Sequence, residues 1–235
     1  MPYKLLQHFG SLFAGHKYRH RRSNLGDQVA AYLYDDLLQL GRSPKFVAAV
    51  QSQHRVINVA NVTVGKTARR GDGTLGERVP NVAAIVVPDH LVSFGQVATV
   101  DVGIEVKVLA KAMIKQLDRV GTDMINQASE FRRHGGNPIC IGIVGINRAR
   151  SYVSFEGTRE WPTDGRKTPH PFQEAEQAER RLLPRIQPVF DELITLRYIA
   201  TNIDPFPFKW VDAVATETEY AASLLRMSRE YEKRF

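Results

Sequence analysis

V-A-T-V-D-V-G-I-E-V-K-V, residues 97–108, is the stretch whose reading decides the fold. Ala98, Val100, Val102, Ile104, Val106 and Val108 make one parity, and Val97, Thr99, Asp101, Gly103, Glu105 and Lys107 make the other. Successive side chains on a strand point to opposite faces. The pattern predicts a strand with one face in a core and with Glu105 and Lys107 projecting together from the other face. A carboxylate and an ammonium fixed side by side can hold a divalent metal ion and a water, which is half of a phosphodiester-cleaving site.

The chain has 235 residues, 43% of them hydrophobic, enough for one substantial core and an appendage. Its formal net charge of +7 suits a polyanionic partner without identifying one. Cys140 is the single cysteine, which excludes a disulfide framework within the chain and a cysteine-based zinc site. It lies in the apolar run P-I-C-I-G-I-V-G-I and reads as a small core residue. No apolar run reaches membrane-spanning length and no secretory signal opens the chain, so the expectation is a cytoplasmic protein with no membrane partner.

Working outward, Val29, Ala30, Leu33, Leu37 and Leu40 recur at helical spacing, with Ser23 or Asn24 as a cap and Gly41 as a stop. Residues 56–64 and 82–87 read as strands, joined by the glycine-rich and charged connection of residues 66–78. Residues 110–133 carry one apolar stripe and read as a helix stopped at Gly135-Gly136. Strands follow at 139–146 and 151–155. After Gly157 comes a proline-rich connection, then helical regions at 172–200 and 211–233, with Pro184 and Pro188 kinking or breaking the first. The expected division is a basic N-terminal arm (1–22), an α/β core (23–157) and a helical C-terminal extension packed on it (158–235).

A metal site needs a second acid. If residues 82–87 and 97–108 pair antiparallel about a turn near residue 93, positions 80–81 lie opposite Glu105, and the chain reads Pro80-Asn81 there. Asp89 falls near the turn. Asp101 is four residues from Glu105, roughly 13 Å along the strand, too far to share one ion.

The order helix–strand–strand–strand–helix–strand, with Pro80-Asn81 and Ile104-Glu105-Val106-Lys107, resembles the PD-(D/E)xK nuclease superfamily over about residues 23–157. The resemblance implies a restriction-endonuclease-like fold, a central mixed sheet flanked by helices. It implies a Mg²⁺- or Mn²⁺-dependent endonuclease acting on double-stranded DNA in bacterial antiphage defence or restriction. Other defence-system proteins are implied as partners, and a homo-oligomer, since cutting both strands takes two sites. Glu105 and Asn81 would hold the metal, and Lys107 would position the attacking water. Asp27, in the first helix, would complete the set, although an acid there also simply suits the helix dipole.

Arg69, Arg70 and Arg78 flank the glycine-rich run and would touch a DNA backbone, as would Lys111 and Lys115 ahead of the next helix. In the helix after Glu105-Val106-Lys107, Lys115-Gln116 or Gln127 would face the scissile phosphate, although a solvated helix face suits each of them singly. The family has aspartate where this chain has Asn81, which leaves three readings open. Asn81 replaces an aspartate in a disarmed enzyme; or Glu77, Asp72 or Asp89 makes up the charge; or the domain binds nucleic acid, or serves as an assembly subunit, without cutting. The bland reading of Glu105 and Lys107 is a solvated surface ion pair.

Overall fold

The computed structural model describes residues 2–19, 25–59, 62–63, 66–67, 71–112, 114–133, 136–156, 159–163 and 172–235. In chain order the elements are α1 (Lys4–Ser11), α2 (Leu25–Leu40), α3 (Pro44–Gln51), β1 (Arg55–Asn58), β2 (Val62–Thr63), β3 (Lys66–Thr67), β4 (Gly73–Glu77), β5 (Phe94–Gly95) and β6 (Val102–Leu109). They continue as α4 (Leu117–Arg133), β7 (Ile139–Asn147), β8 (Val153–Glu156), β9 (Arg159–Pro162), α5 (Ala175–Ile186), β10 (Glu192–Ala200), β11 (Phe208–Trp210) and α6 (Ala213–Arg234).

Seven strands form one mixed sheet in the order β11-β10-β7-β6-β4-β1-β5. β1, β4 and β6 are neighbours in an antiparallel meander. The chain then crosses through α4 and returns as β7, parallel to β6, and through α5 as β10, parallel to β7. All nine positions of β7 are buried. That follows from covering both faces of a parallel region, and it is why I-C-I-G-I-V-G-I-N reads as a continuous apolar run. On one face Val102, Ile104 and Val106 pack with α1, α2, α3 and α6. On the other, Cys140, Val144 and Ile146 pack with α4 and α5. The protein is therefore α/β, a mixed sheet between two helical layers, with a C-terminal helix.

Five expectations are corrected. Residues 82–87 are not a central strand: Ile85 alone bridges to Phe94, with N–H···O distances of 2.7 and 2.8 Å, and Ile85 and Val86 are 50% and 74% exposed. The antiparallel place beside β6 belongs instead to β4, in the connection expected to be irregular. β6 begins only at Val102, the preceding residues making a bend. Residues 192–200 are a strand, not helix, so β10 and β11 build part of the main sheet and the region after 157 is no helical extension. The physical reason is legible afterwards: Pro188 sits in a tight turn at Gln187–Val189, and Ile194, Thr195, Tyr198 and Ile199 favour extended chain with alternating burial. Finally, the N-terminal arm is part of the core. Leu5, Leu6, Phe9, Phe13 and Tyr18 are buried, and Asp36 on α2 accepts the backbone N–H groups of Lys4 and Leu5 at 2.8 and 3.0 Å.

Asp191 ties the end of α6 to the sheet. It pairs with Arg234 and Arg132 and accepts the Cys140 N–H at 2.8 Å. Burial opposes its ionisation, but the Arg234 and Cys140 bonds outweigh that and hold its pKa below the ordinary value. A depressed acid contributes stability that is full above its unfolded pKa and lost as pH falls through the folded one. We expect Asp191→Asn to cost about 1–2 kcal/mol at neutral pH. In denaturant titrations across pH the difference from the parent should shrink below about pH 4.

Candidate functional site

Glu105 and Lys107 lie in the middle of β6, on the face that α4 covers. Gly103, two residues earlier on the same face, sits so close to α4 that a Cβ there would lie 2.5 Å from the Phe131 ring. Glu105 is accordingly 6% exposed, and Lys107 is half-buried. The Lys107 Nζ bonds the Glu105 Oε1 directly. The pair is thus no solvated surface contact.

The register of β4 against β6 pairs Gly73 with Ile104 and Thr74 with Gly103. Continuing it by one residue brings Asp72 opposite Glu105. β4 has ended there, and the Asp72 carboxylate takes over the ladder: its Oδ2 accepts the Val106 N–H at 2.7 Å. The first turn of α2 closes over the same carboxylate. A Cβ added at Gly26 would lie 2.4 Å from Asp72 Oδ1, so only glycine fits there. Asp27 is the next residue in that turn and is half-buried. Asp123, on α4, completes the surroundings.

These neighbours set the electrostatics. Burial pushes the Glu105 pKa up, Asp72 and Asp123 push it further, and Lys107 pulls it back, leaving it at about 7. For Lys107 burial works downward, but Glu105, Asp72 and Asp123 together raise its pKa above the ordinary value. The site gathers carboxylates around one ammonium in a partly desolvated place. Among the described residues, no three His, Cys, Asp or Glu side chains are arranged as a ready metal-holding cluster.

The other expected site residues fall as follows. Asn81 is not opposite Glu105. It occupies an exposed turn with φ 65°, beyond the far end of β4, where asparagine tolerates a left-handed backbone. Glu77 is five residues from Asp72, roughly 16 Å along the strand, and Asn81 lies past it. Asp89 is exposed with φ 70°, its carbonyl bonded by the Lys4 Nζ. Of Glu77, Asp72 and Asp89, Asp72 is the acid that the register brings opposite Glu105.

Arg78 lies at that same far end, and its guanidinium donates to the Gln53 and Val82 carbonyls, holding loops rather than facing the site. Arg69 and Arg70 lie outside the described residues. Lys111 follows the end of β6 and Lys115 is exposed in the tight turn at Ile114–Gln116. The Gln116 amide donates to the Lys111 carbonyl at 3.4 Å, and Gln127 is buried on α4. Asp123 was missed. Its signal was its place on α4, two turns before the Phe131 that packs on Gly103.

Comparison with family models, with curated proteins and with solved structures finds no match to this chain. No helix among the described residues is long and apolar enough to cross a membrane.

Lys107 is the counter-charge for a carboxyl that already resists ionisation. An acid with a raised folded pKa contributes stability that is full below its unfolded pKa and lost as pH rises through the folded one. Lys107→Met should move the Glu105 titration above about 7. It should also destabilise the protein more at about pH 8 than at about pH 5, by about 1–3 kcal/mol at the upper value. Carboxyl-carbon NMR titration and paired denaturant melts measure the two effects.

Proposed function

We propose that the chain is a metal-dependent endonuclease of the PD-(D/E)xK type, with Asp72, Glu105 and Lys107 as its working residues and DNA as its substrate. The observation that carries this reading is the cross-strand pairing of Asp72 with Glu105, with Lys107 two residues further along the same face. Leaving aside α3 and the short strands β2, β3 and β5, the order α2–β1–β4–β6–α4–β7, an antiparallel meander followed by a helical crossover to a parallel strand, supports it as well.

The donor set fits a hard divalent cation. Mg²⁺ takes oxygen ligands, keeps several of its own waters and needs only one or two carboxylates from the protein. Asp72 and Glu105 would supply them, with Asp27 and Asp123 adding negative charge nearby. When bound, such an ion polarises the phosphate and lowers the pKa of a coordinated water. The remaining work falls to the chain itself. Lys107, kept protonated by the surrounding acids, orients the attacking oxygen and offsets the charge that grows on the phosphate. The Val106 N–H and the first turn of α2 fix the Asp72 carboxylate. Burial of Glu105 keeps bulk water from screening these charges.

A second reading is a nuclease-fold protein that binds nucleic acid without cutting it. The direct bond between Lys107 and Glu105 favours it, because the ammonium then takes the place of a cation.

Incubation with supercoiled plasmid in Mg²⁺ or Mn²⁺, against EDTA, separates the two. We expect metal-dependent nicking that falls about a hundredfold or more in Asp72→Asn, Glu105→Gln and Lys107→Ala. Asn81→Asp should leave it unchanged. Retained DNA binding with no cleavage under either metal would establish the second reading.

A further inference from the structure

A cavity of about 810 Å³ opens at the carboxyl ends of β7 and β10. Crevices at the carboxyl ends of parallel strands are where ligands of open α/β sheets bind. Arg148 follows β7 directly, and Arg197 projects from β10. One carboxylate holds both: Glu179 on α5 accepts from Arg148 through Oε2 and from the Arg197 Nε and Nη2 through Oε1, at 2.9 and 2.8 Å. The two guanidiniums are therefore fixed before any ligand arrives, and the buried Arg148 Nε has no hydrogen-bond partner among the described residues. Arg150 and Arg180 line the same cavity from exposed positions. Beside them Phe172 is 63% exposed, an unusual place for a phenyl ring. Besides Glu179, three carboxylates compete for these arginines: Glu174 on the cavity wall, Glu219, which stands 3.6 Å from Arg197, and Glu176. Glu176 is solvent-exposed and stands 3.6 and 3.7 Å from Arg148 and Arg180, a loose arrangement worth little in water.

The cavity is joined to the strand that carries Glu105 and Lys107. Gln173, on its wall, donates to the Ala110 carbonyl and accepts the Ala112 N–H, both at 2.9 Å. Glu174 accepts the Ile114 N–H at 3.1 Å. Ala110 directly follows β6 and is three residues from Lys107, about 10 Å along the chain. Lys111 and Lys115 lie on this connection, so positive charge runs from the catalytic strand to the arginines.

We propose that this cavity holds an unpaired stretch of the nucleic-acid substrate, with its phosphates on Arg148, Arg150 and Arg180 and a base stacked on Phe172. This rests on the nuclease reading and specifies the form of substrate that the site engages. Arginine forks match phosphate oxygens. An aromatic face standing in solvent beside them takes a base only when that base is free of its partner strand.

The test is a fluorescence-anisotropy titration of a labelled oligonucleotide of about 20 nucleotides, single-stranded and as duplex, in EDTA so that no cleavage intervenes. The parent should bind the single strand more tightly. The double variant Arg150→Ala/Arg180→Ala should lower the slope of log affinity against log salt by roughly 1.4, about 0.7 for each lost phosphate contact. Phe172→Ala should weaken single-strand binding about fivefold or more and leave duplex binding unchanged. All three side chains are exposed, so thermal melts should coincide with the parent's. Parent-like single-strand binding in both variants, or tighter binding of duplex, overturns the proposal. Binding that responds to the variants in EDTA, with no cleavage in Mg²⁺, would keep this surface and remove only the chemistry.

Discussion

The pairing of β4 with β6 is the constraint on which the rest depends. A slip of one residue would turn every side chain of β4 to the other face and carry Asp72 away from Glu105. Three glycines hold the register by leaving no room for anything else. A Cβ at Gly73 would meet the Ala30 methyl at 2.5 Å, one at Gly76 would meet the Thr99 carbonyl at 1.7 Å, and one at Gly103 would enter the Phe131 ring. The glycine-rich run G-D-G-T-L-G is therefore not slack chain. It is a strand thinned so that α2 and the 97–101 bend can close on it.

From that register the electrostatics follow. Covering the sheet with helices on both faces removes water from around Glu105, and low polarity strengthens every charge interaction that remains. An acid so placed resists ionisation, and two further acids add to the effect. The fold holds this unfavourable gathering of charge together through backbone bonds. The Val106 N–H on Asp72 and the tight contact of Gly26 spread the cost over β6 and α2. Concentrated negative charge beside a single ammonium is the arrangement a divalent cation relieves.

Much of the fold was legible, and the failures have physical causes. The period-two pattern around Glu105 marked a strand with its charged pair on one face, and the burial of Ile139–Asn147 on both faces explains its unbroken apolar run. The α2 stop at Gly41, with φ 65°, was readable because only glycine adopts that conformation cheaply. What misled was hydrophobicity itself. V-A-A-I-V-V at 82–87 is more apolar than G-T-L-G-E at 73–77, yet the second is the inner strand, because close helix packing there excludes side chains. Choosing the wrong hairpin partner moved the second acid from position 72 to position 81. Residues 192–200 read as helix because Leu193 and Ile199, apolar residues on the less buried parity, mask in the sequence the alternation that the strand's burial shows. That α4 covers the face carrying Glu105 and Lys107 is a tertiary fact that no local pattern encodes.

Manganese binding, followed by electron paramagnetic resonance, tests the pairing of Asp72 with Glu105 as one site most directly. The account predicts that the parent protein binds Mn²⁺ and that Asp72→Asn and Glu105→Gln each abolish it, while Asn81→Ala binds as the parent does. Mn²⁺ binding untouched by the change at position 72 but lost with the change at position 81 would contradict it.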